Sequence, residues 1–120
     1  MPMRHPLRNE FEKIARDLEP LKVRMGYEGA MARAMLKLMP VFVEILEDER
    51  DRQTKPGDKI DGLRCAITNM IAHSIKLNVT DAQQREALRQ YLHLLEKEIA
   101  PRLARNTPKF DKVFMPESRQ

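Results

Sequence analysis

Tryptophan is absent from the 120 residues, and four Phe and two Tyr are the only aromatic side chains. Glycine is as scarce, at four. An all-β fold draws on turn glycines and on aromatic and β-branched runs, so these shortages argue against it and in favour of helix. They also leave no material for a phosphate-cradling loop: neither G-x-G-x-x-G nor a P-loop occurs. The one cysteine, Cys65, excludes an intramolecular disulfide and a Cys-based zinc site, and it suits a reducing, cytoplasmic setting. Long hydrophobic runs are missing too. The stretch Met39–Val43 ends at Glu44, far short of the about 20 residues a membrane-spanning helix needs. Met-Pro-Met-Arg-His-Pro at the N-terminus is followed by no apolar region of the kind a signal peptide carries.

What is present is an apolar share of 42% beside a charged share of 33%, enough to form a core and too apolar for wholesale disorder. The length fits one domain. The net charge of +4 is unevenly placed. Residues 1–39 carry 8 Lys/Arg and 5 Asp/Glu (net +3), residues 40–61 carry 4 and 7 (net −3), and residues 62–120 carry 10 and 6 (net +4). An acidic middle thus separates two basic ends.

Helical periodicity runs through most of the chain. Asn9 with Glu12 has the spacing of a capping box, and Phe11, Ile14, Ala15 and Leu18 fall on one helical face before Glu19-Pro20 ends it. Residues 20–25 read as a short turn. A second helix begins at Tyr27 or Glu28, with Met31, Ala34, Met35 and Leu38 as its stripe. Pro40 predicts either a kink or a fresh helix start, and the pattern then continues through Phe42, Ile45 and Leu46 into the acidic Glu44–Asp51. Thr54-Lys55-Pro56-Gly57 reads as a loop. From Asp58, the positions Ile60, Leu63, Ile67, Met70, Ser74 and Leu77 alternate by three and four. Cys65, Ala66, Ala72, Ile75 and Val79 add a second apolar side, which predicts that 58–77 is the central helix and that Met70→Asp unfolds the domain. Asn78 suits a left-handed helix end. Thr80 with Gln83 predicts a capping box for a last helix striped by Leu88, Tyr91, Leu92, Leu95 and Ile99, kinked at Pro101 and stopped at Thr107-Pro108.

Tests for chemistry come out empty. A di-iron bundle needs inward Glu-x-x-His pairs, yet Met70 precedes His73 and Gln90 precedes His93 at that spacing. A reactive thiol wants an electropositive, accessible place, whereas Cys65 reads as a small buried hydrophobe and His73 as a residue at the core's edge. Ser74 adjoins His73 in sequence, but neighbours on a helix do not face each other. The segment Ser74–Leu92 resembles a helix–turn–helix in outline: a helix, the turn Asn78-Val79, and an Arg-bearing helix. It departs from that pattern at Gln84, where an apolar residue is wanted, and in the absence of a turn glycine.

The resulting expectation is an all-α protein, a four- to five-helix antiparallel bundle with 58–77 at its centre. It comprises an N-terminal arm over 1–8, the bundle over 9–105 and an irregular C-terminal tail over 106–120. No catalysis, cofactor, metal or small-molecule substrate is expected. Elimination leaves a cytoplasmic regulator, inhibitor or adaptor that works by helix-face contact with a protein partner or with itself, as a homodimer. The surfaces nominated are the methionine ridge Met31, Met35 and Met39, the acidic Glu44, Glu47 and Asp48, and the tail residues Phe110 and Phe114. The alternative is a DNA- or RNA-binding regulator using Arg85, Arg89, Arg102, Arg105 and Lys109 against phosphates.

Overall fold

Leu7–Leu18 forms the first helix, α1, because Phe11, Ile14 and Leu18 recur on one face. It starts two residues before Asn9, and the predicted capping box does not form. Instead the backbone N–H of Leu7 donates to Nδ1 of His5 at 3.1 Å, and that of Arg8 to the His5 carbonyl at 3.0 Å. These bonds satisfy amides that the start of a helix leaves without partners. Proline ends α1 as expected, and Glu19–Leu21 continues as one 3₁₀ turn with Pro20 at its start. The computed structural model describes residues 5–104.

The second helix, α2, runs from Gly26 to Asp51 without interruption at Pro40. Pro40 removes only the bond to the Leu36 carbonyl, and the apolar positions on either side hold the helix together across it. Gly26 enters the helix at φ 78°, a left-handed value that a Cβ disfavours. Gly29 is needed for a different reason: a Cβ there would stand 1.7 Å from the Arg24 carbonyl oxygen. The incoming turn lies directly on the first turn of α2. Arg33 fastens it, donating from Nη1 to the carbonyls of Lys22 at 2.7 Å and Arg24 at 3.1 Å.

The chain divides into two compact units, Met1–Thr54 and Lys55–Gln120. In the first unit α1 packs on α2. Leu18, Ala32 and Met39 are buried together, with Phe11, Ile14, Leu21, Met31, Met35 and Leu36 packed around them. Val43 is also buried, and the rings of Phe11 and Phe42 lie 6.3 Å apart.

The second unit holds α3, Pro56–Asn78, and α4, Gln84–Ala104. Pro56 takes the first position of α3, where its missing N–H has no intrahelical partner to lose, so half of the predicted loop is helix. Asn78 stays helical, its Nδ2 donating to the Ser74 carbonyl at 2.8 Å, and the chain leaves the helix through an extended Val79. At the start of α4 the reach-back comes from Gln84, not Gln83: its Nε2 donates to Oδ1 of Asp81 at 3.1 Å. The helix passes through Pro101 to Ala104; the predicted stop at Thr107-Pro108 and the tail 106–120 lie outside the described residues.

All four helices among the described residues are α, with two 3₁₀ turns and no strand, so the chain is all-α. None of them is long and apolar enough to cross a membrane. The predicted centre over 58–77 does not hold as a core. No residue from Lys55 to Ala104 is buried. The helix has the apolar content of a central element, but among the described residues of its unit α4 is the one long helix it packs against, and one neighbour covers one line of a helix.

Candidate functional site

The nominated methionines are divided between core and boundary. Met39 is buried and Met31 and Met35 are half-buried against the same cluster, because the stripe they form is the one α2 turns toward α1. The ridge is part of the unit's packing, and Met39 is not available to a partner.

The acidic nominees serve local structure as well. Glu47 binds Arg8 with both oxygens: Nε donates to Oε2 at 2.9 Å and Nη2 to Oε1 at 2.6 Å. The backbone N–H of His5 adds a third donor to Oε2 at 3.0 Å. The Arg8 bonds, then the His5 bond, hold the Glu47 carboxyl down at about 2. Asp48 accepts from Nε of Arg52 at 2.9 Å, and Glu44 remains exposed. Residues 5 and 8, within the segment expected as an N-terminal arm, are bonded to Glu47 of α2. His5 is itself buried, and that burial, followed by the charge of Arg50, keeps its imidazole below the ordinary histidine range.

The catalytic candidates gather nowhere. Cys65 is exposed, not buried as the sequence predicts. His73 is exposed on α3, its Nδ1 2.8 Å from the Asn69 carbonyl, and Ser74 is exposed beside it. Among the described residues no group of three or more His, Cys, Asp and Glu is placed to hold a metal ion.

Of the basic nominees, Arg85, Arg89 and Arg102 are exposed along α4. Arg89 pairs with Glu86 at 3.2 Å, and Nη1 of Arg102 donates to the Glu98 carbonyl. Arg105, Lys109, Phe110 and Phe114 lie outside the described residues.

The feature that sequence reasoning missed is the outer surface of α3 and α4. Ile60, Met70, Leu77, Leu92 and Leu103 are each more than half exposed, with Ile67, Leu88 and Ile99 close behind. Between the two helices runs an open groove of about 750 Å³ with Ile71, Ala72 and Ile75 on one wall and Leu88 and Leu92 on the other. Lys76, Asp81 and Arg85 stand at its rim. A signal for it was present: the apolar stripes of 58–77 occupy two sides of the helix, more than a single neighbour can cover. Compared with protein-family models, with curated proteins and with solved structures, the chain gives no match.

Proposed function

We propose that the protein is a non-catalytic helical interaction protein of the cytoplasm, a regulator, inhibitor or adaptor that works through protein–protein contact and self-association. One observation carries this reading: from Lys55 to Ala104 no residue is buried, while large aliphatic side chains stand exposed along both helices. Single exposed apolar residues are ordinary, but a continuous series rimmed by charge is the mark of a surface that another protein covers. Contact of that kind completes the antiparallel bundle that the sequence pattern predicts, since helices are stable when their apolar faces are packed in layers.

The exposed arginines of α4 fit nucleic acid less well, because Arg89 already pairs with Glu86 and an apolar line runs between the charges. The two readings separate in a binding experiment. The full chain is used to capture partners from its host lysate with and without nuclease, and its affinity for duplex DNA and for RNA is titrated with salt. Capture that survives nuclease and is lost in Leu92→Glu is the expected result. Micromolar affinity for DNA or RNA that falls steeply with log salt overturns the reading.

A further inference from the structure

Beyond Ala104, the last residue of α4, the chain continues for 16 residues. They include Phe110, Val113, Phe114 and Met115, four large apolar side chains within six positions. Of the four phenylalanines, Phe11 and Phe42 lie against each other in the first unit, so Phe110 and Phe114 are the two that fall to the second. The second unit is also where apolar surface stands open. Its groove is walled by Thr68, Ile71, Ala72 and Ile75 on α3 and by Leu88 and Leu92 on α4.

We propose that residues 106–120 turn back along α4 and seat Phe110 and Phe114 in this groove, as an internal cover that a protein partner has to displace. Length permits it. Leu92 and Arg85 lie 12 and 19 positions before Ala104, which is about 18 and about 28 Å back along the helix. An extended chain gaining about 3.3 Å per residue carries Phe110 about 20 Å from Ala104 and Phe114 about 33 Å. A few residues spent on the reversal bring the two rings level with the stretch from Leu92 to Leu88.

Attachment favours this occupant over others. A segment held on a short tether meets the groove at roughly millimolar effective concentration, well above that of a separate protein in dilute solution. A second copy fits α4 poorly: an antiparallel pairing that matches Leu88, Leu92, Ile99 and Leu103 sets Glu96 beside the other copy's Glu96, and like charges so placed repel. Competition with a partner rests on the function proposed above; the seating of the tail does not.

Cys65 supplies a native reporter. It is exposed, three positions before Thr68 and seven before Ala72, and so lies one turn farther along the groove side of α3. The short connection over 79–83 turns α4 back along α3, which puts Cys65 toward the Ala104 end, where the tail enters.

The test uses the full chain at a concentration low enough to hold it monomeric. The rate at which iodoacetamide alkylates Cys65 is measured against the rate in the urea-unfolded chain, and helix content is followed by circular dichroism. A tail seated about nine-tenths of the time leaves the thiol open for about one-tenth, so its release raises the rate about tenfold. That rise is expected in Phe110→Ser/Phe114→Ser, which alters the tail, and in Leu92→Glu, which alters the groove at an exposed position. Combining the changes is expected to add nothing further, because both break one contact. A short amine-to-thiol cross-linker anchored at Cys65 is expected to catch Lys109 or Lys112 in the wild type and to lose that product in both variants. Equal alkylation rates in all chains overturn the proposal, as do additive rises or a cross-link that both variants keep. Should the tail variant lose helix content, Leu92→Glu and the cross-link decide. Partner capture is read separately, and Phe110→Ser/Phe114→Ser is expected to bind a partner about tenfold more tightly than wild type. Capture through Leu92 with unchanged Cys65 rates overturns the seat of the tail and leaves the function standing. Release of Cys65 in both variants with no capture by any chain keeps the seat and overturns the function.

Discussion

Arg8 and Glu47 lie 39 positions apart and meet as a two-pronged ion pair, Nε to Oε2 at 2.9 Å and Nη2 to Oε1 at 2.6 Å. The pair closes the first unit at the end farthest from its turn. Glu47→Gln keeps the shape but loses the charge that both donors address, and a two-pronged, part-buried pair is the kind of surface contact that stabilises measurably. The expected result is a melting temperature lower by roughly 4 °C with no change in helix content. An unchanged melt shows that the contact is decorative.

Acid should loosen the same end in two stages. Burial holds His5 below 6.5 in the folded chain. The unfolded chain therefore takes up that proton first, and stability begins to fall as pH drops below 6.5. The chemistry agrees, because Nδ1 can accept the Leu7 N–H only while it carries no proton. Glu47 has the opposite charge type and a depressed value, about 2 against an ordinary 4.5. Its contribution is complete above 4.5 and disappears as pH falls from 4.5 towards 2. Thermal melts from pH 8 to 2 should show both declines, with Glu47→Gln removing the lower one and deepening the upper, since the Glu47 charge favours the protonated His5 imidazole.

Of the four glycines, Gly29 is the one where an added methyl meets backbone, and Gly29→Ala should be damaging. Its Cβ would fall 1.7 Å from the Arg24 carbonyl oxygen, a backbone atom held in place by the Arg33 guanidinium. The turn has to move off α2, and overpacking of this order costs roughly 1–3 kcal/mol. Denaturant titration of Gly29→Ala measures the loss. Ala at Gly62, where a Cβ meets nothing within 4 Å, is the control and should be neutral or stabilising, since Ala is the better helix former.

These positions show what could be read in advance. The all-α class follows from glycine and aromatic scarcity and from stripes such as Phe11, Ile14 and Leu18, because helical periodicity is a local property. The helix ends are legible to within a few residues for the same reason. Which stripe is covered is not local. Met31, Met35 and Met39 form a ridge no different in sequence from the line Leu88, Leu92 and Ile99, yet the first is packed into the core with α1 and the second, among the described residues, stays about half exposed. The Arg8–Glu47 pair was equally hidden, since no spacing rule connects residues 39 apart. The acidic segment could be seen as charged but not as partly occupied.

The same contrast yields the prediction on which the architecture turns. Val43 is 1% exposed and Met70 is 53% exposed. Placing a carboxylate at Val43 buries an unpaired charge, which costs several kcal/mol and is expected to unfold the first unit. The sequence pattern alone predicts that Met70→Asp unfolds the domain, as the seam of a central helix. The exposure of Met70 argues otherwise: there the new carboxylate stays in water, so Met70→Asp should keep wild-type helix content and lose little in melting temperature. Circular dichroism melts of Val43→Asp and Met70→Asp, measured at a concentration low enough to hold the chain monomeric, decide the matter. A Met70→Asp chain that unfolds under those conditions would mean that 58–77 is covered within a single copy, and that the exposed aliphatic surface of α3 belongs to the folded core.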